Sequence, residues 1–227
     1  RIAHEVARHG FPPDRIVVLP NAVDTARFRV RTTARAPGAP FHAVYVGRLV
    51  AEKGLGTLLA AWARAFGGRT HLDVRLELVG SGPIEGELRA QAASLGIAGE
   101  VAFLGHRDRV EEILADADVG LLPSRIEGLS NTLLEYMASG IPPVASRVSG
   151  SEDFVLPGVN GWLFPVGDVD ALAAALREAA TLPPERLAEM GRQARADVES
   201  GASLDRVIGR LTALYRGAHP RDLRQAS

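Results

Sequence analysis

A chain of 227 residues with 46% hydrophobic content, 23% charged content and a formal net charge of −1 can build one ordinary globular core with a small appendage. The balanced charge, with only two Trp and three Tyr, argues against a basic, aromatic-rich nucleic-acid surface. Zero cysteines exclude disulfides, thiolate metal sites and thiol nucleophiles, and no apolar run approaches the ~20 residues of a membrane-spanning helix.

In chain order, residues 2–9 predict a short helix, 15–19 a short strand, and Pro20-Asn21 a turn. Residues 29–40, rich in alanine, arginine and proline but poor in bulk, read as a linker. From Phe41 onward short apolar strands alternate with amphipathic helices. Strands are expected at 42–46, 74–79, 101–104, 119–122, 144–145 and 162–164, and helices at 54–66, 84–95, 109–115, 131–139, 168–180, 184–198 and 203–215. Repeated β-α units of this kind predict a Rossmann-like α/β fold, a mostly parallel sheet with helices on both faces. Right-handed crossovers then bring every strand's carboxyl end to one rim, where α/β proteins bind ligands.

The first four strands run into that rim at Gly47-Arg48, Gly80-Ser81-Gly82-Pro83, Gly105-His106-Arg107 and Pro123-Ser124-Arg125-Ile126-Glu127-Gly128. Glycine recurring at strand ends predicts backbone that approaches a ligand closely. Gly80-Ser81-Gly82 does not meet the G-x-G-x-x-G spacing of a dinucleotide fingerprint, so turn formation accounts for it. Lys53 is the only lysine beside 25 arginines, and it lies between a strand end and a helix start, where anions are held. The six histidines are scattered without H-x-H or H-E-x-x-H spacing, so no metal cage is expected.

Glu127 and Glu135 would stand about 12 Å apart along the axis of one continuous helix. Gly128 and a Ser130-Asn131 cap instead start the helix near Asn131, leaving Glu127 in the loop before it and Glu135 about one turn inside. The unpaired N–H groups and positive dipole end of such a helix seat a phosphate. A glutamate on either side can accept hydrogen bonds from hydroxyls at opposite ends of a ligand, which is the layout of a nucleoside diphosphate sugar.

These signatures, in order, resemble the C-terminal, donor-binding half of a GT-B fold glycosyltransferase of family four, the large retaining family. The matching residues are Gly47-Arg48 with Lys53-Gly54, Leu78 to Pro83, Phe103-Leu104-Gly105, and Pro123-Ser124 through Glu127 and Glu135 to Gly140-Ile141-Pro142. Asn160-Gly161-Trp162-Leu163 and Gly167-Asp168 continue the pattern, which runs from Pro20-Asn21-Ala22-Val23-Asp24 nearly to the end of the chain.

The resemblance implies a catalytic set of Arg48, Lys53 and Glu127. Arg48 and Lys53 would neutralise the donor diphosphate, and Glu127 would position the donor sugar. Glu135 would hold the ribose hydroxyls, and the amides of Leu129, Ser130, Asn131 and Thr132 would close on sugar and phosphate. The backbone at His106 and Arg107 would meet the nucleobase, with Gly47 and Gly80 also at the donor. It further implies a hexosyl transfer with retention, no metal and no cofactor beyond the substrate, with a UDP-sugar as the foremost donor. A cation about 4 Å from the diphosphate at an effective dielectric near 20 contributes about 4 kcal/mol, of which only the part that grows in the transition state accelerates transfer.

On this reading residues 1–40 are the tail of an absent N-terminal acceptor domain plus a hinge linker, 41–216 the nucleotide-sugar domain, and 217–227 a disordered tail. The chain alone is expected to bind nucleotide with little or no turnover. The location expected for it is cytoplasmic, with peripheral attachment at the inner membrane face through the absent domain left open. Leu129-Ser130 in place of Phe-Gly, Pro143 in place of valine and Asp153 in place of glutamate leave the sugar preference open. Alternatives are a dinucleotide-binding Rossmann domain, a non-catalytic sugar-nucleotide-binding module and a sugar-nucleotide epimerase.

Overall fold

Phe41, Ala43 and Tyr45 of the first strand, β1 (Phe41–Val46), pack into one hydrophobic cluster, and Val44 packs into another. All four are buried, so the period of two along the strand serves a sheet covered on both faces. A computed structural model describes residues 6–31, 35–36, 38–68 and 72–217. In it β1 is followed by α1 (Leu55–Phe66), β2 (Val74–Val79), α2 (Glu85–Ser94), β3 (Val101–Gly105), α3 (Val110–Leu114) and β4 (Val119–Leu122). There follow α4 (Asn131–Ala138), β5 (Pro143–Ser146), α5 (Ser149–Glu152), β6 (Trp162–Phe164), α6 (Val169–Thr181), α7 (Pro184–Ala202) and α8 (Leu204–Tyr215).

The six strands lie in the order β3-β2-β1-β4-β5-β6 and all pairs are parallel. The fold class expected from the sequence is therefore the one observed. The chain winds outward from β1 to β3, then returns to β1's other side to begin β4, which makes the carboxyl ends of β1 and β4 the topological switch point. These two strands pair only at Ala43↔Val119 and Val44↔Gly120. Beyond that the Tyr136 hydroxyl enters the gap, accepting from the Val46 N–H at 2.8 Å and donating to the Leu121 carbonyl at 3.2 Å. Gly120 makes room for it, since a Cβ there would lie 2.3 Å from the Tyr136 ring.

The strand expected at 15–19 does not form. Pro13–Arg15 is a single 3-10 turn, and residues 16–20 join no ladder. Apolar β-branched residues favour extended backbone, but a strand needs a sheet edge to pair with. The helix expected over 184–198 continues to Ala202 because Ala194, Val198 and Ala202 extend one buried stripe. Of the helix expected at 2–9, residues 6–8 are helical and 1–5 lie outside the described residues, as do 218–227 of the expected tail and 32–34 and 37 of the expected linker.

The segment before the sheet is bonded to the core. Val23 and Phe28 are 5% and 4% exposed and belong to the cluster under α4 and α7. Val23 donates to the Ala202 carbonyl at 2.9 Å and accepts from the Leu204 N–H at 2.9 Å. Arg195 donates to the carbonyls of Thr25 and Phe28, each at 2.9 Å, and to that of Ala138. Arg31 donates to Asp118 at 3.1 Å, while the other oxygen of Asp118 accepts from the His42 N–H at 2.9 Å.

Candidate functional site

A cleft of about 330 Å³ opens at the carboxyl ends of β1, β2 and β3, lined by Gly47, Arg48, Gly80, Ser81, His106, Arg107 and Glu135 among others. That volume falls at the small end of ligand sites, about 300–1,000 Å³. Six of the residues expected at the site, Gly47, Arg48, Gly80, His106, Arg107 and Glu135, are thus brought together. Arg48 and Arg107 are exposed, and neither enters an ion pair among the described residues. Glu135 is half-buried, and its carboxylate has no hydrogen-bond donor among the described residues. Burial is the first cause of its raised pKa, offset by the charge of Arg27 and reinforced by that of Glu111.

Lys53 and Glu127 are brought together with each other. The Lys53 ammonium is ion-paired to Glu127 Oε1, which also accepts from the Ser124 hydroxyl at 2.9 Å. Their side chains are 21% and 13% exposed. Lys53 closes the short 3-10 turn Ala51–Lys53, and the Arg125 N–H donates to the Glu52 carbonyl at 2.8 Å, so the loops after β1 and β4 are clasped by side chain and backbone alike. Ser124 is held in turn by the Ser146 hydroxyl, which donates to its carbonyl at 2.5 Å.

Tyr45 links the pair to the cleft. Its hydroxyl donates to the Arg48 carbonyl at 2.8 Å, and burial first, then the charge of Glu127, raise its pKa, while Arg48 lowers it. The phenol therefore lies within the fields of both residues. Sequence reasoning missed Tyr45 and Tyr136 because each reads as a core aromatic; the Tyr136 hydroxyl's partners are set by the splay of β1 from β4, and that of Tyr45 by the turn after β1.

Three of the rim glycines, Gly54, Gly80 and Gly82, answer to neighbouring loops, whereas a Cβ at Gly105 or Gly128 would meet open space. Gly80 has φ 135°, and a Cβ there would lie 1.9 Å from the Gly47 carbonyl oxygen. Gly54 has φ 68°, and its Cβ would lie 2.1 Å from the Pro123 carbonyl oxygen. Their first constraint is contact between loop backbones. Gly82 behaves like them, facing the Leu49 carbonyl, which accounts for Gly80-Ser81-Gly82 without a dinucleotide.

Helix α4 begins at Asn131, and Ser130 has the extended backbone of a cap at φ −77° and ψ 127°. The expected side-chain cap is absent, since the Ser130 hydroxyl bonds no helix N–H. Leu129 and Thr132 are partly buried, and Asn131 is exposed with its Oδ1 accepting from Asn21 at 2.9 Å. Among the described residues no group of three His, Cys, Asp or Glu side chains is placed to hold a metal ion, and no helix is long and apolar enough to cross a membrane.

A doubly wound parallel sheet with an arginine-lined cleft at the carboxyl ends of β1, β2 and β3 defines a Rossmann-like α/β domain. The sequence model described as "Glycosyl transferases group 1" matches residues 40–181. The chain belongs to that family and is a C-terminal GT-B domain. It is 34% identical over 217 residues to WcaL of Salmonella typhimurium, named for colanic acid biosynthesis, covering 91% of this chain and 52% of that protein. With LpsE of Rhizobium meliloti, a lipopolysaccharide core biosynthesis glycosyltransferase, it shares 36% identity over 174 residues, 76% of this chain and 48% of that one. HepE of Anabaena, solved with UDP and glucose, has the same fold at a TM-score of 0.80 and 22% identity, over 94% of this chain and 60% of that one. The chain thus spans about half the length of the curated relatives it matches.

Proposed function

We propose that this chain is the donor-binding half of a retaining glycosyltransferase, holding a nucleoside diphosphate sugar for transfer of its hexosyl group. One observation carries the reading: the half-buried Glu135 carboxylate, without a hydrogen-bond donor among the described residues, lines the same cleft as the Arg48 guanidinium, which has no ion pair among them. A nucleoside diphosphate meets both needs, bringing ribose hydroxyls to the carboxylate and phosphate oxygens to the cation. His106 and Arg107 line the same cleft and serve the base, with Gly47 and Gly80 as its backbone floor.

Lys53 and Glu127 then act as a unit. Paired with each other, they contribute no net charge before the donor arrives. A diphosphate draws the ammonium, and the carboxylate is left to accept from sugar hydroxyls, so binding of the two ends is coupled. The amides of Leu129, Ser130, Asn131 and Thr132, with no side-chain cap from Ser130, complete the anion seat. As the glycosidic bond breaks, negative charge grows on the leaving diphosphate, and Arg48, Lys53 and these amides stabilise it, with no metal among the groups assigned here. Attack on the face that the diphosphate leaves gives retention, with Glu127 positioning the sugar. The UDP bound in the HepE structure supports a UDP-sugar as first choice, and the half-length match to its relatives supports an acceptor domain elsewhere in the full protein.

Calorimetric titration of the chain with UDP, GDP, ADP and their sugars tests the binding. Arg48→Ala is expected to weaken the preferred nucleotide about tenfold or more, the worth of a charge-assisted hydrogen bond. Equal affinity in wild type and Arg48→Ala overturns the diphosphate assignment. In the full-length protein, Glu127→Ala is expected to abolish most transfer, and the anomeric proton of the product reports retention by NMR.

A further inference from the structure

Two side chains of the segment before the sheet bond the start of α4 and the stretch after β3, the elements that carry Glu135 and His106-Arg107 to the cleft. Asn21 Nδ2 donates to the Leu129 carbonyl at 2.8 Å and to Asn131 Oδ1 at 2.9 Å. Arg27 places Nε and Nη2 on Glu111 Oε2 at 3.1 and 2.7 Å, and Nη2 on the Asp108 carbonyl at 3.2 Å. Leu129 and Asn131 stand at the mouth of α4, the sugar and phosphate end of the proposed donor. Asp108 and Glu111 follow His106-Arg107, the base end. Between these two points the segment is nailed to the core by Val23, which bonds both Ala202 and Leu204.

We propose that Asn21 and Arg27 are positioning residues for the nucleotide, fixing the separation and the charge of the cleft's two walls from a segment that lies outside it. The inference rests on the donor-site reading above. Its geometric half is that loops after different strands are otherwise joined through the sheet, and one short segment hydrogen-bonded to both ties them directly. Its electrostatic half concerns Glu135. The charged and titratable groups around that carboxyl are Arg27 from the segment, Glu111 from α3, Arg48 after β1, His106 and Arg107 after β3, and the Tyr136 hydroxyl on its own helix. Arg27 favours the ionised form twice, by attracting Glu135 and by neutralising Glu111, whose own pKa it lowers. Ionised Glu135 accepts from the two ribose hydroxyls with one charged oxygen each, whereas the protonated acid gives up one oxygen to its own O–H and is the weaker acceptor.

The test follows the Glu135 carboxyl by carbon-13 NMR and UDP affinity by calorimetry across pH, in the full 227-residue chain. Arg27→Ala is expected to move the Glu135 titration upward and the acid limb of UDP binding with it. UDP should weaken about fivefold near pH 5.5 and less than about twofold near pH 8. Arg27→Lys should restore the titration but only part of the affinity, because an ammonium presents one nitrogen where the guanidinium sets Nε and Nη2 on Glu111 and the Asp108 carbonyl in a rigid plane. Glu111→Gln added to Arg27→Ala should move the titration back down. Asn21→Ala, which removes no charge, should weaken UDP about threefold at every pH. An unmoved Glu135 titration in Arg27→Ala, or an affinity loss in that variant equal at every pH, overturns the proposal, since general loosening would give the latter. If Glu135 moves as expected while UDP, GDP and ADP fail to bind the wild type, the coupling is upheld and the donor-site reading falls.

Discussion

Glu135 separates stability from function in a way that pH can read. Burial holds its pKa above the ordinary carboxylate value, so the folded state binds its proton more tightly than the unfolded one. The stability this confers is fully present below the unfolded pKa and is lost as pH rises through the folded pKa, which leaves ionised Glu135 a cost to the fold near neutrality. Glu135→Gln should therefore melt higher than wild type near pH 7, with the gap closing towards pH 4, while its affinity for UDP falls. A lower melting point near pH 7 would mean that a donor already holds the carboxylate. Glu127 makes the opposite case, because its charge is spent on Lys53. Glu127→Ala frees that ammonium, so UDP itself should bind as well or up to about fivefold better, and the extra affinity of a UDP-sugar over UDP should disappear. Calorimetry with both ligands checks the two halves together. Arg48, His106, Arg107 and Glu135 were legible because strand ends and helix starts locate a rim from period alone. The Lys53 to Glu127 bond was not, since it joins loops 74 residues apart whose approach depends on strand order. Asn21 and Arg27 were hidden for the same reason.

At the scale of elements, the alternation of short apolar runs with amphipathic helices foretold every strand of the sheet, because each element buries a face whose period is its own signature. The failed strand at 15–19 shows the limit of that reading: local preference names a conformation but supplies no neighbour to pair with. The wedge between β1 and β4 was equally invisible. Gly120 reads as a weak point in a strand, and Tyr136 as one more core aromatic, until the ring is seen to occupy the space that a Cβ would need. Neither partner can yield: the glycine is on a fully buried strand and the ring is held at its hydroxyl by Val46 and Leu121. Gly120→Ala should overpack this joint and cost about 1–3 kcal/mol. Pairing it with Tyr136→Leu should recover part of the loss in urea denaturation, whereas additive losses would show that the two positions do not meet.

For the whole molecule, the deciding question is where the folded unit begins. The family match starts at residue 40, and composition alone makes the preceding stretch look like tail and linker. Phe28 speaks against a stretch that is merely attached. It is 4% exposed, its carbonyl accepts from Arg195 of α7, and it shares a cluster with Leu133, Met137, Ala194 and Val198. That cluster joins α4, which carries Glu135, to α7, so the segment, α7 and the helix that lines the cleft meet in one core. Truncating a buried phenylalanine costs about 3–5 kcal/mol when its surroundings cannot collapse, against less than about 0.5 kcal/mol for a surface position. Phe28→Ala is thus expected to lower the unfolding free energy of this chain by about 3 kcal/mol in urea, with an unchanged dependence on denaturant. A loss under about 0.5 kcal/mol would mean that the segment rests on the domain without belonging to it. In that event the bonds of Asn21 and Arg27 would have no firm base.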